Sequence, residues 1–136
     1  MSVELSTGLS TELWMLLLTT LLFFVIIMIQ ALLGIGQNGL QAQAGSRDNL
    51  PAPNVLRERL QRLTANLQEN LIIFAIVVIA AEVSGATNDT TALGASVFFY
   101  SRIAHALVYG FGLPWIRPVF WFTAICGVVA IASQLV

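Results

Sequence analysis

The chain has 136 residues, of which 57% are hydrophobic and 10% charged, with a formal net charge of −1. Soluble domains carry about 25% charged residues and, at this size, cannot hide so large an apolar share, so a soluble globule is excluded and lipid is the expected solvent. The near-neutral balance argues for neither a nucleic acid nor a strongly acidic partner. One cysteine, Cys126, leaves no intrachain disulfide and no thiolate metal cluster, and its apolar surroundings suggest ordinary helix packing.

Glu4 and Glu12 precede the first apolar run, and no base occurs before Arg47. Cleaved signal peptides begin with a basic region, so this segment is expected to remain in the mature protein. Leu13 to Leu33 carries no charge, and at about 1.5 Å per residue it reaches roughly 30 Å, the thickness of the hydrocarbon core. The first helix is expected over about 11–36, ended by Gly34, Gly36 and Gly39. A polar loop over about 37–52, rich in Gln, Asn, Gly and Ala, closes with Pro51 and Pro53.

The second helix is expected over about 54–84. It opens with Arg57, Glu58, Arg59 and Arg62, becomes apolar from Leu71 to Ala81, and leaves at Glu82, Ser84 and Gly85. Its polar start projects from the membrane before the helix crosses. A third helix over about 91–110 is followed by the turn Gly110-Phe111-Gly112-Leu113-Pro114. The fourth runs over about 115–135. Residues 1–136 thus form a single all-α membrane domain of four transmembrane helices.

On this topology Arg47, Arg57, Arg59, Arg62 and Arg117 fall on one side, with Arg102 inside the third span nearer that side. Glu4, Glu12, Glu82 and Asp89 fall on the other, which has no Lys or Arg. The positive-inside rule then sets the arginine-bearing loops in the cytoplasm and both termini outside.

Ionisable side chains at membrane depth cost about 2.5–3.5 kcal/mol each on insertion scales and usually face a protein interior or a wet cavity. Arg62, Asn66 and Glu69 are spaced i, i+4, i+7 and share a helix face; so do Arg102, His105 and Tyr109 at i, i+3, i+7. Two readings stand side by side. In one the groups satisfy each other, with Glu69 paired to an arginine such as Arg102. In the other the surplus of Arg62, Arg102 and Arg117 over Glu69 awaits an anion, since an unpaired guanidinium in a dry site is expensive.

Other signals are weaker. His105 has no second His, Cys or carboxylate at ligand spacing, so no metal site is expected. Trp14, Trp115 and Trp121 suit an interfacial aromatic belt. Gly34-x-Gly36 lacks the strand that a dinucleotide fingerprint needs, and no Ser-His-Asp order is credible in spans this apolar. A small cation exporter would need a carboxylate in the first span, which has none.

Arg62-Leu-Thr-Ala-Asn66-Leu-Gln-Glu69-Asn70 resembles the R-x-x-x-N-x-x-E motif in the second helix of the MAPEG superfamily, the membrane-associated proteins in eicosanoid and glutathione metabolism. Arg102-Ile-Ala-His105-Ala-Leu-Val-Tyr109, a short turn and Arg117 resemble the family's third-helix signature and the arginine opening its fourth helix. The resemblance covers about residues 54–136. It implies a left-handed four-helix bundle assembled as a homotrimer, with glutathione between neighbouring subunits near the cytoplasmic face. Arg62, Asn66, Glu69, Arg102, His105 and Tyr109 would line the glutathione site, and Arg117 would stabilise the thiolate, as in microsomal glutathione transferases. The second substrate would be a lipophilic electrophile arriving from the bilayer.

Three departures qualify the activity. Gln37 and Asn38 stand where several family enzymes carry a base at the end of the first helix. Pro118 replaces the serine of the prostaglandin E synthase branch. Leu71-Ile72-Ile73-Phe74 lacks the proline that often follows the Glu. The alternative is a non-catalytic member whose polar network is structural or holds another anion or a lipid headgroup.

Overall fold

The computed structural model describes residues 8–136; Glu4, used above in sorting the charges, lies outside them. Five α-helices occur among the described residues: α1 Thr11–Asn38, α2 Leu40–Ala44, α3 Val55–Ser84, α4 Asp89–Phe111 and α5 Arg117–Ala132. Their ends follow local chemistry. The Ser10 hydroxyl accepts from the Leu13 amide at the start of α1, and the Asn54 side chain accepts from the Arg57 amide at the start of α3, each satisfying an N–H that the helix leaves unpaired. Asn88 opens α4 with a capping box closed by the Thr91 hydroxyl. Gly85 and Gly112 end α3 and α4 in the left-handed conformation, at φ 70° and 72°, where glycine carries no Cβ penalty.

Three of these helices are long and apolar enough to cross a membrane: α1, α3 and α4. The fourth expected span differs. In place of a helix over about 115–135, residues 114–116 form a turn, and α5 has 16 residues, about 24 Å. Pro118 explains the late start: it has no amide N–H to give to an earlier carbonyl, so it suits only a first turn and takes the second position of α5. The polar loop is not wholly irregular either, since α2 adds one turn within it.

Helix α4 packs closely on α5 and also contacts α1 and α3; α3 contacts α1 and α5. Near the acidic end the core holds Phe74 and Phe98, stacked with ring centroids 4.0 Å apart, beside Val78, Ala95, Ala124 and Ile131, all fully buried. A second cluster of Ile26, Leu60, Leu63 and Leu67 lies toward the other end. Leu21, Phe24, Leu32, Ile76, Val119 and Phe122 are exposed. So much outward apolar surface is tolerable against acyl chains or another subunit and not in water. Cys126, expected within helix packing, is also on this outer surface, because α5 turns Ala124, Gly127, Val128 and Ile131 inward instead.

The polar groups separate toward the two ends. At one, the Ser10 hydroxyl donates to Glu82, the Thr91 hydroxyl meets the buried Glu12 carboxylate, and Asn88 donates to Gln134. These contacts gather the start of α1, the α3–α4 turn and the end of α5. Arg57, Arg59, Arg62 and Arg117 lie at the other.

Candidate functional site

Facing positions of α3 and α4 build the site at the arginine-bearing end. Arg102, on α4, is the largest fully buried side chain at 1% exposure. Its Nη2 donates to the Asn66 Oδ1 at 2.9 Å, while Nε and Nη1 are buried without a partner. One turn on, His105 is buried at 2% exposure with Nδ1 unpartnered, and its ring lies 5.5 Å from that of Tyr109. The Arg117 guanidinium covers the other face of the array, 4.7 Å from the Tyr109 ring centroid, within cation–π range. Asn66, His105, Tyr109 and Arg117, with Pro118 and Trp121, line a recess of about 280 Å³.

The expected pairing of Glu69 with Arg102 does not form; Asn66 takes its place. Helix phase gives the reason. With Arg62 at zero, the buried Leu63, Leu67 and Asn70 lie at about 80–140° around α3, Asn66 at about 40°, and Glu69 at about −20°. Asn66 therefore borders the packed face, whereas Arg62 and Glu69 are exposed on the outer side. Of the seven residues singled out from the sequence, Asn66, Arg102, His105, Tyr109 and Arg117 come together. Arg62 reaches the edge of the array, lining a smaller adjoining recess with Tyr109 and Arg117, and Glu69 stands apart.

One lining residue was missed. Trp121, assigned to an aromatic belt, sits one helical turn beyond Arg117 and lines the larger recess; its i+4 spacing from Arg117 was the available signal. Arg57 supplies a base at the end of α1, where the sequence of that helix has none. It is buried at 7% exposure, and its Nη1 donates to the Gln37 Oε1 at 2.7 Å. Gly34 leaves room for both Gln43 and Arg57, since a Cβ there would lie 2.7 Å from Gln43 Nε2 and 3.3 Å from Arg57 Nη2. Gln37 also ties the polar loop down through the Ala52 carbonyl at 2.9 Å.

A buried guanidinium with two idle nitrogens and a buried imidazole with one idle nitrogen form an incomplete polar network. Water or a ligand must satisfy it, because buried polar groups without partners are strongly disfavoured. The structure is thus that of an α-helical membrane protein carrying a cationic, partly unsatisfied polar site at one end of its helices. The MAPEG family model matches residues 14–136, nearly the whole chain, and the protein belongs to that family. No curated protein and no solved structure matches it.

Proposed function

We infer that the protein is a glutathione-dependent transferase or peroxidase acting on lipophilic electrophiles. The observation that carries this reading is Arg102, a fully buried guanidinium with Nε and Nη1 unpartnered, held by Asn66 behind a recess that Asn66 and Arg117 line. Glutathione fits that donor set through its two carboxylates. The recess, about 280 Å³, falls just short of the roughly 300–1,000 Å³ usual for ligand pockets, which suits a site that one chain only partly encloses.

Family membership supports a homotrimer in which a neighbouring copy closes the site, and a left-handed arrangement of four membrane-spanning helices. In that assembly the outward Arg62 and Glu69 would face the adjacent subunit and meet glutathione from there. Arg102, Asn66 and His105 would hold its charged and amide groups, with Tyr109 beneath Arg117. The Arg117 guanidinium would lower the pKa of the thiol and stabilise the thiolate, the nucleophilic form. The electrophile would enter laterally past Trp121. The positive-inside rule assigns the arginine-bearing end to the cytoplasm and both termini to the opposite side.

The test is calorimetric titration of glutathione into the detergent-solubilised protein, with conjugation of an aromatic halide measured alongside. Glutathione should bind, and Arg62→Ala should weaken it about tenfold, the loss of roughly one charge-assisted contact. No binding by the native protein would sink the reading. It would leave the alternative of a non-catalytic member whose network is structural or holds another anion.

A further inference from the structure

A second recess, of about 90 Å³, lies on the other side of Tyr109. Arg59, Arg62 and Arg117 line it together with Tyr109, and the turn Gly112 to Pro114 closes it. No carboxylate contributes to the lining. Three guanidinium groups around so small a space repel one another unless an anion stands between them.

Two further features point the same way. Gly112, at φ 72°, gives the turn its shape, and a Cβ there would lie 2.7 Å from the Arg59 guanidinium carbon. Position 112 is thus open on both counts for Arg59 to tuck under the turn. Helix α5 starts beside it with Ile116, which makes no side-chain capping bond, so the positive end of its dipole adds to the same field.

The rim decides what kind of anion. Around the recess the turn exposes Phe111 (75%), Trp115 (90%) and Ile116 (48%). Large apolar side chains at the end of a membrane helix suit the headgroup–acyl boundary, and clustered bases beside such a surface suit anionic lipid headgroups. We propose that the Arg59–Arg62–Arg117 recess is a binding site for the phosphate of an anionic phospholipid, whose acyl chains lie along Phe111, Trp115 and Ile116. This inference does not depend on glutathione binding, although Tyr109 and Arg117 border both recesses. Arg59 borders only this one and, unlike Arg62, has no part in the proposed glutathione site, which makes it the discriminating residue.

Native mass spectrometry of the full chain in detergent, titrated with dioleoyl phosphatidylglycerol, dioleoyl phosphatidylcholine or inorganic phosphate, provides the test. Phosphatidylglycerol should bind about tenfold more tightly than phosphatidylcholine. Arg59→Gln should lower that affinity about tenfold and Arg59→Lys should restore most of it, with the thermal midpoint unchanged in both variants. Glutathione titration of Arg59→Gln should match the native protein. Equal binding of the two lipids, or no effect of Arg59→Gln, overturns the proposal. Inorganic phosphate that binds as tightly and displaces the lipid overturns it in favour of a soluble phosphate. Loss of glutathione binding on Arg59→Gln would overturn it by merging the two recesses into one site. If glutathione binds neither form but the lipid preference and its Arg59 dependence remain, this proposal stands and the proposed activity falls.

Discussion

Replacing Arg102 with Met should make the unliganded protein more stable while removing its affinity for glutathione. In the native chain the guanidinium is 1% exposed and only Nη2 has a partner. Desolvating a charge without full compensation costs several kcal/mol, and replacing buried ionic groups with well-packed apolar ones of similar volume is often stabilising by about 1–4 kcal/mol. Arg102→Met should therefore raise the free energy of unfolding in detergent by an amount in that range. The same substitution takes away the donors proposed to hold a carboxylate, a loss of about 2–5 kcal/mol in binding, so calorimetry should find no glutathione affinity at accessible concentrations. Arg117→Ala should behave in the opposite way. Its guanidinium lies over Tyr109 at the recess wall, so binding should fall only a few-fold, while the conjugation rate at saturating glutathione should drop about 10²-fold or more, the scale of removing one charge-stabilising donor. If Arg102→Met destabilised the free protein and still bound glutathione, the idle nitrogens would not be a ligand site at all.

This behaviour depends on a feature that sequence could outline but not resolve. The apolar runs and their lengths made three membrane-capable helices legible, because hydropathy and a rise of about 1.5 Å per residue decide that question locally. Two helix ends were legible for a similar reason: Gly85 and Gly112 act on their own backbone neighbours. The start of α5 was harder to place, since Pro118 lacks an amide N–H and is confined to the first turn although the apolar pattern begins at Trp115.

Residues that share a face of one helix are fixed by spacing, which grouped Arg62, Asn66 and Glu69 on α3 and Arg102, His105 and Tyr109 on α4. Which of them turn inward depends on the phase of α3 against α4, set by Leu63, Leu67 and Phe74 at the core. A shift of about 60° around the helix separates inward Asn66 from outward Glu69, and nothing in the motif itself encodes that shift. The place of Arg57 was illegible for another reason. Its position at the end of α1 arises from the polar loop folding back through Gln37 and Ala52, a contact between segments about 20 residues apart.

The remaining large effect lies where α4 and α5 cross. Small residues such as Gly94 and Gly127 are spread through both helices and reveal no interface by sequence alone. In the structure they oppose each other directly. A Cβ on Gly94 would lie 2.6 Å from the Gly127 carbonyl oxygen, and one on Gly127 would lie 2.5 Å from the Gly94 carbonyl oxygen and 3.0 Å from the Phe98 amide nitrogen. The obstructing atoms are backbone, so no rotamer change can relieve the contact, and the helices must separate. Overpacking costs about 1–3 kcal/mol where side chains can yield; here Gly127→Ala should reach or exceed the upper end of that range, read as loss of stability in a detergent-denaturation series. Gly94→Ala should cost nearly as much, and the double variant should cost much less than the sum, because one separation accommodates both methyl groups. The displacement also reaches the site. Arg117 and Trp121 ride on α5, whereas His105 and Tyr109 ride on α4, so prising the helices apart widens the recess between them. Gly127→Ala should then weaken ligand binding at a position well along α5 from every lining residue, and unchanged stability together with unchanged binding would mean that the crossing is looser than these distances require.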